Sequence, residues 1–230
     1  MMYNKLGQPI GVTIDNHSPG PCPSIDRIEG REIRVEKVNR SHFEDLLLLY
    51  TKEAGDEQFT YMTFERFEDN QGFQEFFQSL CDSKDPYYLT IVDQKTNKAL
   101  GVFALMRMDR NNRVVEMGSV FYGPTLQRSK GATEAQYLMM CYVFDVLHYR
   151  RYEWKCDALN APSKRAAERL GFTYEGTFRQ AMVYKGRNRD TAWYAITDQE
   201  WPRQNQRFKA WLDDRNFDNN GHQITSLKYL

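Results

Sequence analysis

The chain has 230 residues, enough for one domain with a full hydrophobic core. Lys and Arg total 31 and Asp and Glu total 31, so no net field draws the molecule toward nucleic acid or an anionic membrane. The four cysteines, Cys22, Cys81, Cys141 and Cys156, are widely spaced with no Cys-x-x-Cys pair, which speaks against a zinc site or a disulfide framework and for reduced thiols. No basic stretch followed by an apolar run opens the chain and no run of about 18 apolar residues occurs, so neither a signal peptide nor a membrane span is expected, and the expected compartment is the cytoplasm.

Gly7, Pro9, Gly11, Pro19, Gly20, Pro21 and Pro23 give residues 1–30 the composition of an extended arm. Over 31–38, Ile33 and Val35 alternate with charged residues, the pattern of a half-buried strand. Ser41 with Glu44 reads as a capping box opening a short helix to Tyr50. Phe73, Phe76 and Phe77 then stand at helical spacing, either as a helix packed on the core or as the lining of a cleft. Residues 87–93 and 100–108 read as strands joined by a turn at Asn97, and 113–121 as a third strand of the same meander. A helix over 133–147, a strand over 152–158, a helix over 163–170 stopped by Gly171, and a hairpin of 173–184 with 191–197 follow. Past Trp201-Pro202, Phe208, Trp211 and Leu212 share one side of a last helix, and 203–230 form a C-terminal helix and tail. Strands that first meander and then alternate with helices describe an α/β or α+β fold around a mixed sheet.

The strongest local signal is a strand over 114–121, a polar loop over 123–130, and Gly131-Ala132-Thr133-Glu134 opening a long helix. A helix N-terminus offers unpaired N–H groups and the positive end of the dipole, so small residues there let a pyrophosphate approach closely. Gln127, Arg128 and Lys130 add donors to that turn. The competing reading is an ordinary capped helix beside a solvated basic loop.

Several landmarks follow one another in order. They are Leu126-Gln127-Arg128-Ser129-Lys130-Gly131-Ala132-Thr133-Glu134-Ala135, Tyr152-Glu153-Trp154-Lys155-Cys156, Asn160-Ala161-Pro162-Ser163, Arg169-Leu170-Gly171-Phe172 and Lys185-Gly186-Arg187-Asn188-Arg189-Asp190. With these landmarks the region 31–202 resembles the GNAT superfamily of N-acetyltransferases, in the branch of the ribosomal-protein N-terminal acetyltransferases. The resemblance implies a mostly antiparallel mixed sheet of about seven strands, splayed in the middle and flanked by helices. It implies that acetyl-CoA is the acyl donor, its pyrophosphate held by the loop from Leu126 and Gln127 to Thr133. The family's motif, Gln/Arg-x-x-Gly-x-Gly/Ala, fits in two registers. One ends on Ala132 and puts Lys130 where a glycine is usual; the other keeps Gly131 and ends on Thr133. Backbone around Met117, Gly118, Ser119 and Val120 would face the pantetheine arm in a wedge against the strand over 152–158. Asn160 would contact the pantetheine, cap the following helix, or do both.

The tyrosine that many members place four residues before Gly-Phe is Ala167 here. Ser163 matches a branch serine and stands either as the proton donor to the departing thiolate or as a plain helix residue after Pro162. Glu116 matches a branch glutamate and stands either as the base for the acceptor ammonium or as the structural partner of an arginine. His148 reads as a helix C-terminal residue, and Arg187, Arg189 and Asp190 as a solvated turn or an acceptor-facing one. No Cys-His pairing suggests a nucleophile, so direct transfer to a primary amine is expected, the acceptor being a peptide N-terminus or a small molecule. Neither a metal nor nucleic acid is expected to take part, and a homodimer is open. The rival reading is a catalytically silent acyl-CoA-binding module, kept in play by Ala167 and the displaced glycine.

Overall fold

The computed structural model describes residues 2–15 and 18–230. Within the arm, β1 (Met2–Tyr3) and β2 (Pro9–Ile10) make a small hairpin of their own, and β3 (Arg27–Glu29) joins the main sheet. Charge matched across the ladder recruits β3: Arg27 lies opposite Glu36 and reaches its carboxylate at 2.9 Å. The stretch before it drapes over the domain, with Tyr149 donating to the Pro21 carbonyl at 3.0 Å and the Ser24 N–H donating to the Tyr142 hydroxyl at 2.9 Å.

β4 (Ile33–Lys37), β5 (Tyr87–Asp93), β6 (Ala99–Asp109) and β7 (Val114–Tyr122) form the expected antiparallel meander, with Asn97 at φ 58° in the turn where a left-handed residue is needed. β8 (Arg151–Asp157) runs parallel to β7, and β10 (Arg187–Thr197) inserts between β8 and β9 (Thr173–Tyr184). The sheet order is β3-β4-β5-β6-β7-β8-β10-β9, eight strands because the arm contributes one.

Each face of the sheet carries its own core. On one, α1 (Phe43–Leu48) and α2 (Asn70–Asp82) bury Leu46, Phe73, Phe77 and Leu80 against Val102 and Phe121. Phe73, Phe76 and Phe77 are thus packing residues around Tyr50, whose ring stacks on Phe121 at 4.2 Å. On the other face, α3 (Lys130–Cys141), α4 (Ala161–Leu170) and α5 (Trp201–Leu212) cover Val115, Met117, Tyr152 and Trp154. Burying a side chain of this size contributes about 1.5–3 kcal/mol, so these two clusters are the main stabilising term.

Several boundaries differ from the expected ones: β10 begins at Arg187 and not at 191, so Arg187, Arg189 and Asp190 are strand residues and not a turn, and α4 begins at Ala161 because Asn160 takes its N-cap. The capping box before α1 is made by Asn39 and His42 instead of Ser41 and Glu44. The His42 Nδ1 accepts from the Asn39 N–H, which leaves the Nε2 proton for buried Glu36 at 2.8 Å. α3 opens at Lys130, three residues before Thr133, because the Ser129 hydroxyl accepts the Ala132 N–H at 3.0 Å and so takes the N-cap. Its regular part ends at Cys141, and a wider helical turn over Tyr142–Val146 completes it before His148 reverses the chain at φ 53°. Gly171 stops α4 as expected, in the left-handed conformation at φ 96°.

Candidate active site

β7 and β8 are in register over four pairs, Val114 with Arg151 through Met117 with Trp154, and then part. Beyond that point Gly118, Ser119 and Val120 face a gap on the β8 side. Ser119 sits at φ 50° where the β6–β7 register shifts, a bulge that turns the strand away from its parallel neighbour. Met117 is therefore the last paired residue, and the freed backbone starts at Gly118.

The loop after β7 leads straight to the start of α3. Turns at Gly123 and Leu126 fold it, and Leu126 is buried as its anchor. The Gln127 side chain donates to the Tyr122 carbonyl at 3.0 Å, Arg128 stands exposed at φ 59°, and Ser129 caps the helix. The N–H groups of a first helical turn have no intrahelical acceptor, so those of Lys130 and Gly131 are available beside Arg128. The Lys130 side chain belongs elsewhere: its ammonium lies 2.9 Å from Asp214, 3.8 Å from Glu32 and 4.4 Å from the centre of the Phe217 ring. Only its main chain contributes to the open start of α3. Gly131 is buried against β4, where a Cβ would come within 3.0 Å of Ile33 Cγ2, so its missing side chain also serves packing. Thr133 is buried and its hydroxyl accepts from Arg169 at 3.1 Å. Glu134 is buried as well and accepts the N–H groups of Arg31, Glu32 and Ile33, at 2.6, 3.0 and 3.3 Å, which locks the start of α3 to β4.

Across the gap, Asn160 caps α4 by accepting the Ser163 N–H at 3.1 Å, and this holds Ser163 over the parting strands. Trp154, the last β8 residue in register with β7, donates its indole N–H to Ser163 Oγ at 3.0 Å. With that lone pair taken, the hydroxyl keeps its proton to donate, and the Cys156 sulfur beside it is the acceptor at hand. Burial raises the pKa of the neighbouring Cys156 thiol, while the Ser163 hydroxyl and the charge of Arg189 oppose that rise. A thiol kept neutral is a poor nucleophile. Ala167, where many relatives place a tyrosine, lies fully buried in the core.

Glu116 and Gly118 occupy the other face of β7. The Glu116 carboxylate is buried and bound twice by Arg107, at 3.0 and 2.7 Å, and once by the Lys155 ammonium at 3.0 Å. Lys155 also reaches Glu153 at 2.7 Å and lies 3.8 Å above the Trp193 ring. This is the ion-paired arrangement for Glu116, with two cations on its oxygens. Lys155 entered the sequence reading only as part of a landmark; a lysine inside a strand of buried residues was the signal for such a cluster.

Further along this face, Tyr184 donates to Asp157 at 2.7 Å, and burial together with Asp157 pushes the phenol pKa up to about 12. Arg187 and Arg189 lie 5.3 and 5.8 Å from the centre of the same ring. The segment between α1 and α2 closes over this hairpin: Lys185 donates to the Phe59 carbonyl, Arg187 to the Thr60 carbonyl, and Tyr61 to the Leu159 carbonyl just past β8.

A parted parallel strand pair, a helix start with free N–H groups and a hydroxyl at the junction form a site that fits a thioester carried on a long phosphorylated arm. Comparison with known proteins gives the family. The family described as Acetyltransferase (GNAT) domain matches residues 32–173. A solved GCN5-related N-acetyltransferase from Brucella melitensis is 44% identical, with 94% of this chain and 98% of that chain covered and a TM-score of 0.91. "Uncharacterized N-acetyltransferase YnaD" of Bacillus subtilis is 31% identical over 86 residues, 37% of this chain and 50% of that protein. "Putative ribosomal N-acetyltransferase YdaF" of the same organism is 28% identical over 102 residues, 44% of this chain and 55% of that protein. The chain thus spans about half the length of these curated relatives. From the match across most of its sheet and the parted β7–β8 pair, this chain belongs to the GNAT family of acetyltransferases.

Proposed function

We propose that this protein transfers the acetyl group of acetyl-CoA directly to a primary amine, on a peptide N-terminus or a small molecule, in the cytoplasm. The observation that carries this reading is Ser163, held by Asn160 and Trp154 at the point where β7 and β8 separate. Acetyl-CoA, when bound, supplies an activated thioester. The first-turn N–H groups of α3 with Gln127 and Arg128 would hold its pyrophosphate, and the backbone of Gly118–Val120 its pantetheine arm. Ser163 gives the departing sulfur its proton. Glu116, bound by Arg107 and Lys155, acts as a fixed anion on the acceptor side of the junction.

A buried neutral Cys156 supports transfer without a covalent enzyme intermediate. The silent acyl-CoA-binding module stands as a second reading because Ala167 removes the hydroxyl that many relatives carry. Turnover of the native protein with a panel of amines decides between them, and the variant Ser163→Ala tests the proton donor. Its turnover should fall by about ten- to a thousand-fold with acetyl-CoA affinity near normal, the scale of a lost proton donor. Unchanged turnover removes Ser163 from the mechanism, and binding without turnover in the native protein favours the silent module.

A further inference from the structure

The hairpin of β9 and β10 carries two guanidinium groups that the transfer chemistry does not use. Arg187 and Arg189 flank Tyr184 on the acceptor side of the sheet, beside the end of β8. Their hydrogen bonds are to neutral oxygens: Arg187 donates to the Thr60 carbonyl at 2.7 Å and Arg189 to the Thr191 hydroxyl at 3.1 Å. Among the described residues neither forms an ion pair. The acidic groups nearby are engaged with other partners. Glu65 is paired with Lys185 at 2.8 Å, Asp56 with Arg66 at 2.8 Å, and Asp157 accepts from Tyr184. Asp190 accepts from the Gln180 N–H at 2.7 Å and from Asn188 at 3.0 Å. A cleft lined by Asp56, Thr60, Glu65, Lys185 and Arg187 opens there, and with its two acids already paired the charge left over is that of Arg187, with Arg189 next to it across the Tyr184 ring.

Position links this charge to the reaction centre. Arg189 donates to Thr191, which lies opposite Asp157 at the end of β8, three residues past the Trp154 that holds Ser163. A guanidinium presents several N–H donors in a rigid fork, which matches a carboxylate better than any neutral group. Three bridges tie the segment over residues 56–68 to the hairpin and to Leu159, so the cleft is roofed on that side and suits a compact molecule.

We infer that the acceptor is a small amine that also carries a carboxylate, read by Arg187 and Arg189 while its amino group faces the β7–β8 junction. This rests on the transferase reading above and narrows it to amino-acid-like acceptors. A panel of free amino acids, each beside its carboxamide, tests it by release of free thiol from acetyl-CoA. The native protein should prefer at least one acid to its amide by about tenfold or more in kcat/KM, mainly through KM, the scale of a charge-assisted bidentate contact. In the double variant Arg187→Gln, Arg189→Gln that ratio should fall below about threefold, and Arg189→Lys should restore part of it. Because the ratio is taken within one protein preparation, a loss of folded protein cancels. Amides used as well as acids throughout the panel, or a preference that survives in the double variant, would overturn the inference and leave the transferase reading standing. The same panel with acidic peptides as the better substrates would overturn it too. If no amine is acetylated, the transferase reading itself fails. Calorimetric binding of N-acetyl amino acids against their amides then decides the carboxylate claim alone, equal binding contradicting it.

Discussion

At the scale of single residues, Ser163 and Asn160 were legible because their roles are local. A three-residue spacing at a helix start suffices to make one cap the other. Lys130 and Glu134 were not legible, since each takes its partners from far along the chain. Lys130 beside a glycine in a phosphate-binding loop looks like a phosphate ligand, yet Asp214, 84 residues later, takes its charge. Glu134 reads as an ordinary first-turn acid and in fact closes three backbone N–H groups about a hundred positions earlier. Removing that buried acceptor strands donors that β4 and its turn have no other means of pairing. Glu134→Ala should therefore lower unfolding free energy by about 2–4 kcal/mol in urea titrations. A loss under about 1 kcal/mol would show that water replaces the carboxylate there.

At the scale of elements, periodicity and breakers located the strands and helices of the main sheet from Ile33 onward but not β1, β2 and β3 in the arm, and the other errors lie at ends. Ser129 and Thr133 are both able N-cap residues, and sequence alone does not rank them; the Ser129 hydroxyl wins because it closes onto the Ala132 N–H while Thr133 is drawn toward Arg169. The same shift changes what Gly131 means. It lies in the first turn of α3 and lets the helix approach Ile33, which gives it a packing role beside the proposed one at the pyrophosphate. Gly131→Leu should thus do two things together: weaken acetyl-CoA binding and lower stability by about 1–3 kcal/mol through overpacking against β4. Weakened cofactor binding at native stability would assign Gly131 to the phosphate alone. Normal cofactor affinity in a folded variant would remove the pyrophosphate from this turn.

At the scale of the whole molecule, the layered α/β architecture followed from the order of elements, while the parting of the strands around Met117 to Val120 was expected only from the family resemblance. The insertion of β10 between β8 and β9 and the parting of β7 from β8 after Met117 are properties of the assembled sheet. Residue pattern shows that 114–122 and 151–157 are strands. It does not show where they stop pairing, because the bulge at Ser119 and the charged cluster of Glu116, Lys155 and Glu153 are spread over two strands that meet only in the fold. In the proposed mechanism that junction joins a donor side, with α3 and Ser163, to an acceptor side, with Arg187 and Arg189. The most direct test of the account is to mix the native protein with acetyl-CoA and a broad panel of primary amines, following free thiol and the mass of each amine. The account predicts amine-dependent thiol release with a stoichiometric gain of one acetyl group on at least one amine. Tight acetyl-CoA binding with no acetylated product from any amine would contradict it.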